Sequence, residues 1–206
     1  MIEIKNLNKK INDKVIFNNL NLTIEDGEML AISGASGSGK TTLLNILGKL
    51  DKEYDGNIII ENKNLKTITQ TNYLRNTIGY LFQNYALADN LTVTRNLDFS
   101  LKYSDDKSLE AKENALEMVG LDPKEYLNKK IYTLSGGEQQ RVALARLFLK
   151  PCSIILADEP TGSLDVKNRD VVLEILRKMN EHGKTVIVVT HDPYVLTVCD
   201  RVIKKI

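Results

Sequence analysis

Gly34-Ala35-Ser36-Gly37-Ser38-Gly39-Lys40-Thr41 has the spacing GxxxxGK[ST], after a short apolar run and before an amphipathic stretch at residues 42–50. Glycines at those positions let backbone N–H groups turn inward around phosphate oxygens, and a helix beginning there adds the positive end of its dipole. The segment reads as a P-loop. Lys40 is expected to reach the β- and γ-phosphates of a nucleotide, and Thr41 to offer its hydroxyl to Mg²⁺, with Thr42 completing the binding segment. Asp158 follows Ile-Ile-Leu-Ala, where a carboxylate at the end of a buried strand needs a partner, and the metal is the natural one, held directly or through water. Side chains alternate along a strand, so Glu159 can face the γ-phosphate instead, as the general base that polarises the attacking water.

Leu134-Ser135-Gly136-Gly137-Glu138-Gln139-Gln140-Arg141 carries a second signal. Ser135 followed three residues later by Glu138 is a capping box for a helix. Two glycines in a first helical turn cost about 1 kcal/mol each relative to alanine, so helix propensity does not account for them. Close approach of an anion to bare N–H groups does. Of the two histidines, His182 sits in a turn, residues 180–184, and reads as structural or superficial; His191 directly follows an apolar run and reads as functional.

The elements that must position these groups are short. Apolar runs at residues 29–33, 78–82, 154–157 and 185–190 are bounded by polar or glycine-containing segments and predict buried parallel strands. The four runs lead, in order, into GASGSGKTT, Gln83, Asp158 with Glu159, and His191. Ligands of open α/β sheets bind just beyond the carboxyl ends of the strands, so these groups can converge. Alternating patterns at 2–7, 15–24 and 57–61 predict a small antiparallel sheet beside the core. From about 84 to 150 the period becomes helical, clearest at 109–119 and 139–149, and a last strand is expected at 201–204.

A chain of 206 residues, 42% hydrophobic and 27% charged, suits one globular α/β unit. Its 28 Lys and Arg nearly cancel its 27 Asp and Glu, which gives no basic field for nucleic acid or an anionic membrane. The charged start, MIEIKNLNKK, does not resemble a secretory signal, and no apolar run approaches the ~18–20 residues of a membrane span. Location inside the cell is therefore expected. Cys152 and Cys199 lack neighbours at metal-ligand spacing and read as ordinary packed thiols.

In its order of GASGSGKT, Gln83, LSGGEQQR, IILADE, Ser163-Leu164-Asp165 and His191, the sequence resembles the ATP-binding-cassette ATPases along essentially its whole length. The resemblance implies an α/β P-loop NTPase core with a mixed, mainly parallel sheet (1–83 and 151–206, including the antiparallel β subdomain), and an inserted helical subdomain at 84–150. It implies head-to-tail pairing with a second copy or a homologous subunit, in which Ser135, Gly136, Gly137 and Glu138 cover the ATP held by the other chain. Gln83 would sense Mg²⁺ and the water, Asp165 would link the two sites, and His191 would contact the γ-phosphate. The family commonly stacks adenine on an aromatic side chain where this sequence has Ile11; Phe17 is the candidate substitute. The family also receives a helix of a separate integral membrane permease in a groove around residues 80–91, where Phe82, Tyr85, Leu87 and Leu91 offer apolar surface. That partner would hold the ATPase on the inner face of the membrane. The form ADEPTG-x-LD is similar to exporter and extractor ATPases of the macrolide, lipoprotein-release and bacitracin-resistance kind, and the short chain also resembles bacteriocin-export ATPases. The alternatives are a signalling ATPase of the cell-division kind and a soluble member acting on ribosomes or DNA; no nucleic acid is expected.

Overall fold

The computed structural model describes residues 1–102, 104, 106–162 and 164–204, so Ser163 of the expected motif lies outside the described residues. β1 (Ile2–Ile11) and β2 (Lys14–Ile24) form an antiparallel hairpin, turning through Asn12 at φ 52°. β3 (Met29–Ile32) leads through the glycine-rich loop into α1 (Lys40–Leu47). β4 (Asp55–Ile60) pairs with the free edge of β1, and β5 (Lys63–Asn64) pairs with β4. The first sheet is thus β2-β1-β4-β5, antiparallel throughout.

After α2 (Gln70–Asn76) comes β6 (Ile78–Leu81), followed by a helical stretch: α3 (Val93–Leu101), α4 (Leu109–Met118), α5 (Pro123–Tyr126) and α6 (Gly136–Phe148). β7 (Ile154–Asp158), α7 (Val166–Glu181), β8 (Thr185–Val189), α8 (Pro193–Val198) and β9 (Arg201–Ile203) complete the chain. The second sheet runs β6-β7-β8-β3-β9, and each of its pairs is parallel. The expected mixture of directions is therefore a division between two sheets. Each predicted core strand is present to within a residue, because a parallel strand covered on both faces reads as a near-continuous apolar run.

Side-chain alternation distributes those apolar runs between two cores. Ile155 and Ala157 of β7, with Val186 and Val188 of β8, face the core that includes α4, α6 and α7. Ile154, Leu156, Ile187 and Val189 face the other, shared with α1 and the antiparallel sheet through Ile4, Phe17 and Ile58. One sheet thereby fastens the helical stretch on one side and the hairpin sheet on the other. α1 begins earlier than expected and ends at Gly48, so its first residue is Lys40. The periodicity does not announce α2 or α7; α7 buries Val172, Leu173, Ile175, Leu176 and Met179 along one stripe.

α7 ends in a Schellman motif, with Gly183 N–H donating to Asn180 O at 2.8 Å and Lys184 N–H to Met179 O at 3.3 Å, which is why the turn at 180–184 exists. Gly183 has φ +84° and open space around it, whereas Gly56, φ +95°, lies opposite a register shift in β1, where an added Cβ would stand 2.3 Å from Asn6 O. Gly183→Ala is expected to cost only the left-handed backbone penalty, about 1–2 kcal/mol. Gly56→Ala adds a collision with main chain that cannot rotate away, and its urea midpoint should fall clearly below that of Gly183→Ala. Equal midpoints would contradict the packing described for β1 and β4.

Candidate active site

Because the strands of the second sheet are parallel, the carboxyl ends of β3, β6, β7 and β8 lie along one edge, and each is followed by a polar group. A cavity of about 750 Å³ opens there, lined by Gly34, Ala35, Ser36, Gly37, Gly39, Lys40, Thr41 and Thr42 from the loop and by Gln83, Glu159 and His191 from the other strand ends. The loop has two glycines at positive φ, Gly37 (+74°) and Gly39 (+98°). Gly39 is also sterically compelled: a Cβ there would lie 2.6 Å from Ile16 Cγ2 and 3.0 Å from Phe17 Cε1. Lys40 donates to the carbonyls of Gly34 (2.8 Å) and Ala35 (3.0 Å), which hold the ammonium inside the loop and leave one of its three N–H groups for a ligand.

The acidic pair divides at the strand end: Asp158 closes β7, and Glu159 lies just beyond it. Asp158 is buried, accepts a hydrogen bond from Thr41 Oγ1 at 3.2 Å, and is pushed above the usual carboxylate range chiefly by that burial, with the neighbouring Glu159 charge adding to it. A hard divalent cation of the Mg²⁺ kind takes oxygen donors, commonly one carboxylate and a hydroxyl together with substrate phosphates. Asp158 and Thr41, with Gln83 on the cavity wall, fit that requirement. No cluster of three His, Cys, Asp or Glu capable of holding a metal exists among the described residues, so water and phosphate oxygens would supply the other ligands.

Glu159 occupies the left-handed region, φ +46°, with its N–H donating to Val189 O at 2.9 Å. For a residue that is not glycine this conformation costs on the order of 1–3 kcal/mol and persists only where the surroundings impose it. The turn carries the side chain out of the strand alternation and into the cavity. There its carboxylate accepts from Thr190 Oγ1 (3.2 Å) and His191 N–H (3.4 Å), and pairs with His191 Nδ1 at 2.9 Å. That hydrogen bond and the carboxylate charge raise His191 above the ordinary histidine value.

Other expected residues lie elsewhere. Ser38 does not line the cavity; its Oγ is buried without a partner among the described residues. Ile11, at the hairpin tip and 44% exposed, is also absent from the lining, while Ile16 is present. Phe17 is buried beneath Gly39 and cannot swing toward a base without leaving the core. Sequence reasoning misses Ile16 and Gly162 as lining residues. The alternation around Phe17 is the available signal for Ile16: when Phe17 points inward, its neighbour points out.

Ser135, Gly136, Gly137 and Glu138 form the first turn of α6 and are not part of this chain's cavity. The expected capping box is present: Ser135 N–H and Oγ both donate to Glu138 Oε2 at 2.7 Å, and Ser135 Oγ accepts from Glu138 N–H. Tyr126 also donates to Glu138, and these donors hold the carboxyl down at about 2. Gly137 faces α7: a Cβ added there would lie 3.4 Å from Asn168 Oδ1. Asp165 caps α7 and binds Asn168 through N–H (2.9 Å) and Nδ2 (2.8 Å). Gln140, buried on α6, donates to Pro160 O just beyond Glu159.

Comparison with known proteins places this geometry in a family. The family model described as ABC transporter matches residues 17–162. The chain is 41% identical over 208 residues to the "Macrolide export ATP-binding/permease protein MacB" of Campylobacter jejuni; the match takes 99% of this chain but only 32% of MacB, so the chain spans about a third of that relative's length. It is 43% identical to the "Uncharacterized ABC transporter ATP-binding protein MJ0796" of Methanocaldococcus jannaschii, across 98% of this chain and 92% of that protein. It superposes with TM-score 0.87 and 39% identity on a dimeric post-hydrolysis state of MJ0796 bound to ADP and Pi, covering 100% of this chain and 94% of the other. A P-loop fold of this kind, matched along its length to ATP-binding cassettes, is not ambiguous: the chain belongs to the ABC transporter family, as an ATP-hydrolysing cassette.

Proposed function

We propose that the chain binds ATP with Mg²⁺ on its P-loop, closes against a second cassette whose α6 N-terminus covers the γ-phosphate, and couples hydrolysis to a membrane permease. Glu159 carries this reading. It is held in a strained turn at a strand end, oriented by Thr190 and His191, beside the loop that would hold the phosphates. In the proposed reaction Glu159 takes a proton from the attacking water as its oxygen bonds the γ-phosphorus, and the bond to the bridging oxygen breaks. His191 orients that carboxylate and can donate to the γ-phosphate. Lys40 and the loop N–H groups stabilise the charge on the phosphate oxygens. Asp158, Thr41 and Gln83 would hold Mg²⁺, whose contribution when bound is to neutralise charge on the β- and γ-oxygens.

Two-chain assembly is supported by the absence of residues 135–138 from the cavity of their own chain and by the dimeric state of the MJ0796 structure. In the proposed pair, Gly137 of the covering segment faces Asn168, which the Asp165 hydrogen bonds hold at the start of α7. Export through a permease is supported by the likeness to MacB and by the ADEPTG form of residues 157–162. No helix among the described residues is long and apolar enough to cross a membrane, so attachment to the inner membrane face would come through that permease.

Glu159→Gln keeps the shape and loses the base. Phosphate release should fall by about 100-fold or more while ATP affinity is retained, and gel filtration should show an ATP-dependent dimer accumulating. Hydrolysis at the wild-type rate would remove Glu159 from the role.

The same substitution tests the electrostatics of the nucleotide-free chain. His191 is raised by its bond to the Glu159 carboxylate, so its imidazolium persists to higher pH than that of a free histidine. Glu159→Gln should move the NMR titration midpoint of His191 down toward the ordinary value. An unmoved midpoint would mean that the pair does not form.

A further inference from the structure

Glu138 brings a negative charge into the turn of α6 that, in the proposed pair, must meet the partner's γ-phosphate. Its two carboxylate oxygens are engaged differently. Oε2 accepts from Ser135 N–H and from Ser135 Oγ, both at 2.7 Å, and Oε1 accepts from the hydroxyl of Tyr126. The capping box also returns Glu138 N–H to Ser135 Oγ. The first N–H groups of a helix have no intrahelical acceptor, and the box leaves those of Gly136 and Gly137 for a ligand.

The Ser135 hydroxyl is the contested group. It has one proton, which it can give to Glu138 or to a phosphate oxygen but not to both. How firmly Oε2 holds that proton depends on how much of the carboxylate charge is already engaged at Oε1, where Tyr126 donates. That donation leads the causes that hold Glu138 down at about 2, ahead of those from Ser135, and the same bond raises the Tyr126 phenol to about 12. A carboxylate so weakly basic competes poorly for a hydroxyl proton.

Tyr126 is well placed to do this because its surroundings fix it. It ends α5, and its ring packs against the core around α4 and α6, with the Lys129 ammonium over the ring at 4.2 Å. The chain just beyond is tied to the start of α3: Leu127 O accepts from Thr94 N–H (3.0 Å) and Thr94 Oγ1 (2.7 Å), and Lys129 O from Val93 N–H (2.9 Å). The phenol thus reaches Glu138 from a braced segment that is no part of the P-loop cavity.

Resting on the two-chain reading above, we propose that Tyr126 is a positioning residue for the covering segment: its hydroxyl holds Glu138 by Oε1 and loosens the grip of Oε2, so that Ser135 Oγ–H can turn to the partner's γ-phosphate beside the N–H groups of Gly136 and Gly137. Without that hydroxyl the carboxylate keeps the serine proton and presents its full charge to an incoming anion.

Tyr126→Phe keeps the ring and removes the hydroxyl. By calorimetry ATP should bind it as it binds the wild type, whereas phosphate release at saturating ATP should fall about tenfold, the scale of one hydrogen bond to a charged group. NMR titration of the Glu138 carboxyl should show its midpoint moved up from about 2. The discriminating step is a double-mutant cycle with Glu138→Gln, read both as phosphate release and, in the Glu159→Gln chain, as the protein concentration at which ATP drives pairing. With no carboxylate at 138, removing the Tyr126 hydroxyl should change either quantity by less than about twofold. An equal loss with Glu138 and with Gln at that position would mean that Tyr126 only braces α5, and would overturn the proposal, as would an unmoved Glu138 midpoint. Ser135→Arg separates this from the reading beneath it: wild-type hydrolysis there would remove the two-chain site itself, whereas an inactive Ser135→Arg beside a fully active Tyr126→Phe would overturn the role of Tyr126 alone.

Discussion

At Gly39 there is no volume for a side chain: Ile16 and Phe17 of the antiparallel sheet occupy it from below, and the backbone stands at φ +98°. That single close approach joins the parts of the molecule. Through it the hairpin sheet supports the phosphate loop, α1 can start at the very next residue, and Lys40 enters the loop from the first turn of that helix. Any larger residue would have to lift the loop from Phe17 or reverse the backbone, and either change would displace the N–H groups that make a cradle.

The acids on the neighbouring strand gain their different characters from the same compactness. Asp158 ends β7 in the regular alternation and is buried, and that burial resists its ionisation, while the hydrogen bond it accepts from Thr41 favours the charged form. Glu159 leaves the alternation by a left-handed turn and meets Thr190 and His191 at the end of β8. Pairing of β7 with β8 in parallel register, Asp158 opposite Val189, sets these strand ends side by side. Sheet register thus positions a carboxylate and an imidazole that are 32 residues apart in the chain.

Much of this is legible in the sequence because each feature has a local signature. Uninterrupted apolar runs mark strands with both faces covered, and the polar residue after each run marks the working edge. Glycines that weaken a helix point to the first turn of α6, and they do lie inside the helix, within its capping box. Less legible are features set by register between distant segments. β1 and β2 pair with three register shifts, so the hairpin residue that reaches the loop cannot be counted from the turn; Ile16 does, and Ile11 does not. The surface expected around residues 80–91 is also only partly legible, since Phe82 comes to lie in a cleft with Leu50 and Phe99, from separate elements, whereas Tyr85 and Leu87 pack against the core around α4 and α6.

In the proposed pair the reaction site is divided, with a cradle on one chain and a covering helix end on the other. Ser135→Arg separates these roles, because the residue lies outside its own chain's cavity. The decisive measurement is phosphate release by Ser135→Arg alone, by Lys40→Ala alone, and by the two mixed, with ATP titrated into each by calorimetry. With a divided site, Ser135→Arg binds ATP as the wild type does yet does not hydrolyse it, Lys40→Ala fails to bind, and mixing restores part of the activity by joining one intact loop to one intact covering helix. Wild-type hydrolysis by Ser135→Arg alone would contradict that division.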